Sequence, residues 1–197
     1  MNQLQEMMVD QLKDAFSAEK QAIQVMRRTL RKVSDPQLRE GIQAHIEQSE
    51  HQRERVEQAL EKLGSRPGRK VCEAMRGLAE EATHEMDERE KGPVLDLVIV
   101  ASQQRVEHYE IAAYGTMVEL SKAMGQTEVA DLLAEILAEE KAQDGRLTEL
   151  TRSSLLPTAL QGGEDMEEDE EAQAQGSQNG GGRSRSKRSQ AGTRQEG

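Results

Sequence analysis

Apolar residues recur at spacings of three and four through four long stretches of this chain. Such a pattern buries one stripe of each helix against its neighbours. From Gln3 to Val33 the stripe is Met8, Leu12, Ala15, Ala22, Met26, Leu30 and Val33. Ser34-Asp35-Pro36 breaks it; Asp35 suits the cap of a second helix and Pro36 its first position. That helix runs to about Leu63 on Leu38, Ile42, Ile46, Val56 and Leu60, and Gly64 ends it. Gly92-Pro93 opens a third, Pro93 to Met124, on Leu95, Ile99, Val106, Ala113, Met117 and Leu120. Gly125 stops it, and Thr127 is expected to cap a fourth running to about Arg152, on Val129, Leu132, Leu133, Ile136, Leu137, Leu147 and Leu150.

Composition agrees with an all-α fold. Aromatic residues are only 2% of the 197, and the chain is rich in the good helix formers Leu, Ala, Glu, Gln, Lys, Arg and Met. β-sheet proteins draw on the aromatic and β-branched residues that are scarce here. The formal net charge of -11 argues against nonspecific binding of the folded part to DNA or anionic membranes. The single cysteine, Cys72, excludes an internal disulfide and a multi-cysteine zinc site. It is expected to pack as a small hydrophobe. No run approaches the roughly 18 apolar residues of a membrane span. Met1 to Asp10 lacks the basic segment and apolar run of a signal peptide, so a cytoplasmic location is expected.

The short joints make two antiparallel helical hairpins. Ser65 to Gly92 forms one long crossover between them, with a short helix expected over Val71 to about Met86. Two hairpins joined by one long crossover is the ferritin-like plan for a four-helix bundle. The domain is expected over 1–156. Residues 157–197 carry an acidic block, Glu164 to Glu171, and then a Gln/Gly/Ser stretch with Arg183, Arg185, Lys187 and Arg188. So little apolar surface predicts a disordered tail, a solubilising extension or the binding site of an unknown partner.

The acids on the apolar stripes point to function. Glu19 lies seven residues after Leu12 and seven before Met26, a step that returns to nearly the same face at about 100° per residue. Glu110 sits among Val106, Ala113 and Met117, with Glu107 one turn earlier; Glu140 lies between Ile136 and Leu147, with Asp144 one turn later. Buried carboxylates are costly unless paired or coordinated to a metal. Glu19 and Glu110 each stand 14 residues before the end of their helices, and Glu140 lies at a similar depth into the fourth. One mid-bundle layer is therefore expected, where ferritin-like proteins place carboxylate-rich metal sites. Carboxylate oxygens with imidazole suit iron or manganese. On the second helix the matching height falls near Ser49 to Gln52. There Glu50 flanks the stripe, Glu47 and His51 project outward, and His45 faces inward several residues below the layer. The usual Glu-x-x-His is missing.

Five blocks carry a family resemblance: Ser17-Ala18-Glu19-Lys20-Gln21, His45-Ile46-Glu47, Cys72-Glu73-Ala74-Met75-Arg76-Gly77-Leu78, Val106-Glu107-His108-Tyr109-Glu110-Ile111-Ala112-Ala113-Tyr114-Gly115-Thr116, and Glu139-Glu140-Lys141 with Asp144. Over roughly Met1 to Arg152 the chain resembles the YciE/YciF family of bacterial ferritin-like, ferroxidase-like stress proteins. The resemblance implies a rubrerythrin-like bundle, a homodimer, and Glu19, Glu107, Glu110, Glu140 and Asp144 as ligands. Ferritins place a histidine three after the last helix's glutamate; here that position is Gln143, and Asp144 is its substitute.

Two functions follow. The first is a dinuclear iron or manganese centre, held by side chains drawn from Glu19, His45, Glu50, Glu107, Glu110, Glu140 and Asp144, that oxidises Fe(II) or reduces peroxide. The second is a non-catalytic structural or interaction protein in which the acids only make core hydrogen bonds. Nucleic-acid binding through Arg183 to Arg188 is a weaker third, because seven acids precede that cluster.

Overall fold

Asp35 accepts the backbone N–H of Leu38 at 2.8 Å, and Pro36 stands at the first position of the helix that follows. This is the expected break, and it sets the first hairpin. The computed structural model describes residues 3–161. Its elements are α1 Gln3–Thr29, α2 Pro36–Lys62, α3 Glu73–Asp87, α4 Pro93–Ala123 and α5 Thr127–Leu150, all helical. The long helices α1, α2, α4 and α5 pack as a ring in which each touches two others, and α3 lies against α1 and α4. This is the expected bundle of two hairpins joined by a crossover helix.

The helix ends have local causes. Gly64 and Gly125 have positive φ, 71° and 69°, a region that glycine enters without a Cβ penalty. After α2, Ser65 N–H bonds Leu60 C=O and Gly64 N–H bonds Glu61 C=O, both at 2.9 Å. After α4, Gln126 N–H bonds Ser121 C=O and Gly125 N–H bonds Lys122 C=O, at 2.9 and 3.0 Å. Both are Schellman closures. The second leaves no space for the expected Thr127 cap: Gln126 takes the capping position, without a side-chain bond, and Thr127 is already helical. α1 ends at Thr29 rather than Val33, because the following residues tighten into shorter-range bonds such as Lys32 N–H to Thr29 C=O at 2.8 Å.

Two further features lie outside the sequence expectations. Asp96, in the first turn of α4, is buried and accepts the backbone N–H groups of Ser34 and Asp35 at 2.8 Å each, tying the α1–α2 turn to α4. α5 passes into a π-helical turn, Thr151–Leu155, and the chain stays helical through residue 161, past the expected boundary at 156. The expected disorder of the tail falls on 162–197, outside the described residues.

The core is divided. One apolar cluster holds Ala18 to Met26 of α1, Leu38 to Ile46 of α2, Leu95 to Val100 of α4 and Leu147 of α5. The other holds Met8 to Ala15, Val56 to Leu60, Tyr114 to Val118 and Val129 to Ile136 of the same helices. Where the two clusters meet, every long helix buries polar residues: Glu19; His45, Ser49 and Gln52; Gln103, Glu107 and Glu110; Glu140 and Gln143.

Candidate metal centre

This polar layer is where the acids converge. Glu19, Glu107, Glu110 and Glu140 are each at most 4% exposed. His45 Nε2 lies 3.1 Å from Glu107 Oε1. One ligand atom each from His45, Glu107 and Glu140 falls within 4.8 Å of the others. His45 stands about a turn from the expected layer, but its imidazole reaches Glu107, which is displaced from Glu110 toward the same apolar cluster.

Glu19, Glu107 and Glu140 are each held through one oxygen, Glu107 by His45. The Tyr114 phenol donates to Glu19 Oε1. Gln52 Nε2 donates to Glu140 Oε1 and, at 2.9 Å, to Glu139 Oε2. Glu139 in turn takes a bidentate pair from the Arg55 guanidinium, which leads from the core to the surface. The second oxygens are left over: Glu19 Oε2, Glu107 Oε2, Glu110 Oε1 and Glu140 Oε2 are buried and, as carboxylates, find no donor; His45 Nδ1 is likewise without a partner. Buried polar atoms in native proteins are rarely unpaired, and a cluster of them asks for a missing ligand.

The electrostatics agree. Burial, with the Glu140 charge adding to it, pushes Glu19 up to about 8. Burial likewise takes Glu107 to about 7 and Glu140 to about 9, Glu140 being raised further by the facing Glu107 carboxyl. Glu110 is driven well above its ordinary range by burial and by the charges of Glu19, Glu140 and Glu107. His45 is lowered, chiefly by burial, which favours the neutral imidazole that ligates metals. Without a cation these groups retain protons; a bound cation would displace them. Four carboxylates with free oxygens and one neutral imidazole, in a closed polar layer, fit iron or manganese.

The remaining candidates lie apart. Glu50 pairs with Arg27 at the surface, since its position on the edge of the α2 stripe turns it outward. Asp144 is partly exposed and engaged by Gln104 Nε2 at 3.0 Å, with His108 at 3.4 Å. Gln143, not Asp144, is buried on that turn, and it accepts Arg146 Nε at 2.9 Å. The sequence reading missed Gln52 as the donor to Glu140; its place on the α2 stripe was the available signal. It also missed the contact of Cys72 Sγ with the Tyr109 hydroxyl at 3.0 Å, and that hydroxyl's bond to Asp14 Oδ2 at 2.8 Å. Cys72 is buried as expected, but its Sγ also caps α3 by accepting Met75 N–H.

Residues 3–159 match the family model described as "Domain of unknown function (DUF892)". The chain is 39% identical to Protein YciF of Escherichia coli over 151 residues, 76% of this chain and 91% of that one. The solved structure of that Escherichia coli stress protein aligns with a TM-score of 0.72 at 40% identity, covering 76% of this chain and 95% of YciF. YcfI from Rhodopseudomonas palustris aligns with a TM-score of 0.72 at 33% identity, covering 75% and 94%. A ferritin-like, diiron-carboxylate protein from Bacillus anthracis aligns with a TM-score of 0.61 at 16% identity, covering 76% and 99%, which is a likeness of fold. With its ferritin-like bundle and a family match over nearly all described residues, this chain belongs to the DUF892 family.

Proposed function

We propose that the polar layer is a carboxylate–histidine metal centre for iron or manganese, and that the chain works as a ferroxidase-like or peroxide-reducing protein. The observation that carries this reading is the set of buried second oxygens on Glu19, Glu107, Glu110 and Glu140 that no protein donor reaches. Those four acids and His45 are the ligands. Glu50 and Asp144 are left out, because each is engaged away from the layer. The bound metal supplies one-electron redox chemistry. The protein's own contribution is positional: Tyr114 orients Glu19, the Gln52 amide orients Glu140, and the two apolar clusters on either side keep bulk water from the layer.

The test is metal content per chain, by elemental analysis of protein expressed with iron and with manganese, for the wild type, Glu110→Ala and Glu140→Ala. Near-stoichiometric metal that both variants lose supports the centre, and Fe(II) oxidation and peroxide consumption are then assayed. Metal-free wild type and well-folded variants would overturn it. The rival reading, a structural or interaction protein with a hydrogen-bonded core, is favoured by the three pairings Tyr114–Glu19, Gln52–Glu140 and His45–Glu107. It leaves the second oxygens unexplained.

A further inference from the structure

The acids of the polar layer are at most 4% exposed, so a cation from solution must pass some side chain to reach them. The bonds around the layer single out one way in. Gln52 Nε2 donates both to Glu140 Oε1, inside the core, and to Glu139 Oε2, at 2.9 Å. The Glu139 side chain is 28% exposed, and it lines a surface depression between α2 and α5 with Gln48, His51, Glu54, Arg55 and Gln58. One amide therefore joins a carboxylate that solvent touches to a carboxylate that it does not. The α4–α5 face differs. Asp144 is held there by Gln104 and His108, and among the described residues no hydrogen bond or ion pair links it to an acid of the layer.

Arg55 stands in this way in. Its Nη1 and Nη2 both bond Glu139, and Nη1 lies 3.4 Å from Glu135 Oε2. Its Nε is buried without a partner, so the guanidinium is held through its two terminal nitrogens alone. Its charge is near enough to the layer to ease the ionisation of Glu19. In the metal-free chain Arg55 is thus a cation already seated on the approach. Gln52 has a loose end as well, because its Oε1 is buried without a partner. An amide turned half a revolution about its last bond exchanges donor for acceptor in the same place. We infer that the α2–α5 depression is the entry site for divalent cations: Glu139 takes the ion from solution, Arg55 is the group that the ion displaces, and Gln52, turned over, passes it to Glu140 through Oε1. Three acids, Glu54, Glu135 and Glu139, face the one arginine there, a balance that draws cations and repels anions. This route rests on the metal centre proposed above and adds how that centre is filled. Arg55 and Glu139 are not ligands of the filled centre, so they govern the rate of filling and not its extent.

The experiment mixes the metal-free full chain with a small excess of Fe(II) under argon and traps unbound Fe(II) at intervals with a chromogenic chelator. It reads the rate of filling and the final content together. Glu139→Gln removes the receiving charge and leaves Arg55 unneutralised, and should slow filling about tenfold. Arg55→Ala removes the seated cation and should speed filling about tenfold. Both variants should reach the wild-type content, with circular dichroism as the check of their fold. Asp144→Asn is the control on the α4–α5 face and should fill at the wild-type rate. A rate unmoved by Glu139→Gln, or not raised by Arg55→Ala, would overturn the entry site and leave the metal centre standing. A lower final content in Glu139→Gln would overturn it as well, by making Glu139 a ligand. A wild type that takes up no Fe(II) would overturn the centre and the route together.

Discussion

Gln52, from α2, donates its side-chain amide to Glu140, from α5, inside the core. A neutral amide thus stands on the helix where a ligand was expected, and it holds the neighbouring Glu140 instead. Gln52→Leu removes the donor and leaves a buried carboxyl without it. Metal-free protein should lose about 1–3 kcal/mol, read by urea denaturation. Metal affinity should fall as well, because the amide bond lowers the cost of ionising Glu140.

The raised acids give a pH dependence of definite sign. Their folded values, about 7 for Glu107, 8 for Glu19 and 9 for Glu140, lie above the ordinary 4.5, so the folded state binds more protons than the unfolded. Their contribution is fully present below about 4.5 and is lost as pH rises through 7 to 9. His45, lowered by burial, acts oppositely below its ordinary 6.5, as one group against several. The urea midpoint of chelated protein should fall between pH 5 and pH 9. A midpoint that does not fall across that range would show that the acids are ionised in the metal-free fold.

Replacing an acid with its neutral isostere should separate stability from binding. Glu140→Gln keeps the shape and removes the charge that folding must protonate. At pH 7 the metal-free variant should be more stable than wild type by about 2 kcal/mol, while metal content falls. Thermal melts with and without Fe(II) or Mn(II) read both effects. A bound metal at a hundred times its Kd adds about 2.7 kcal/mol to the wild type alone.

Asp144 and Glu107 make a paired control on neighbouring helices. Glu107→Ala should reduce metal content, whereas Asp144→Ala, which breaks contacts with Gln104 and His108, should leave it unchanged. Equal losses in the two variants would return Asp144 to the ligand set.

Asp96 gives a test of the frame rather than the centre. Asp96→Ala strips two backbone N–H groups of their buried acceptor and should cost about 3 kcal/mol. The Ser34 and Asp35 amides should then exchange with solvent first, as hydrogen-exchange measurements would show.

The bundle was legible because the apolar stripes are long and the breaks carry Asp35-Pro36, Gly64, Gly92-Pro93 and Gly125, each with one strong local preference. Glu19, Glu110 and Glu140 were legible because a charge at mid-stripe contradicts its own helix. What the stripe could not show was reach. His45 looked too low on the helix axis, yet its side chain spans the gap to Glu107. Asp144 follows Glu140 by one turn, but a four-residue step rotates it far enough to meet Gln104 and His108 instead. Asp96 escaped notice because its partners are backbone groups about 60 residues earlier, which no helical period encodes.

The placing of polar residues between two apolar clusters on all four helices has a consequence for alignment. Apolar stripes alone are indifferent to a slide of one helix along another by a full turn, since leucine meets leucine either way. Here such a slide drives a carboxyl into hydrocarbon and strands its partner. A single polar layer can fix the register of a helical assembly at some cost in stability. Glu19, His45, Gln52, Glu107, Glu110 and Glu140 therefore act together as an index mark, and the same residues that cost the bundle stability set its helices against a one-turn slide.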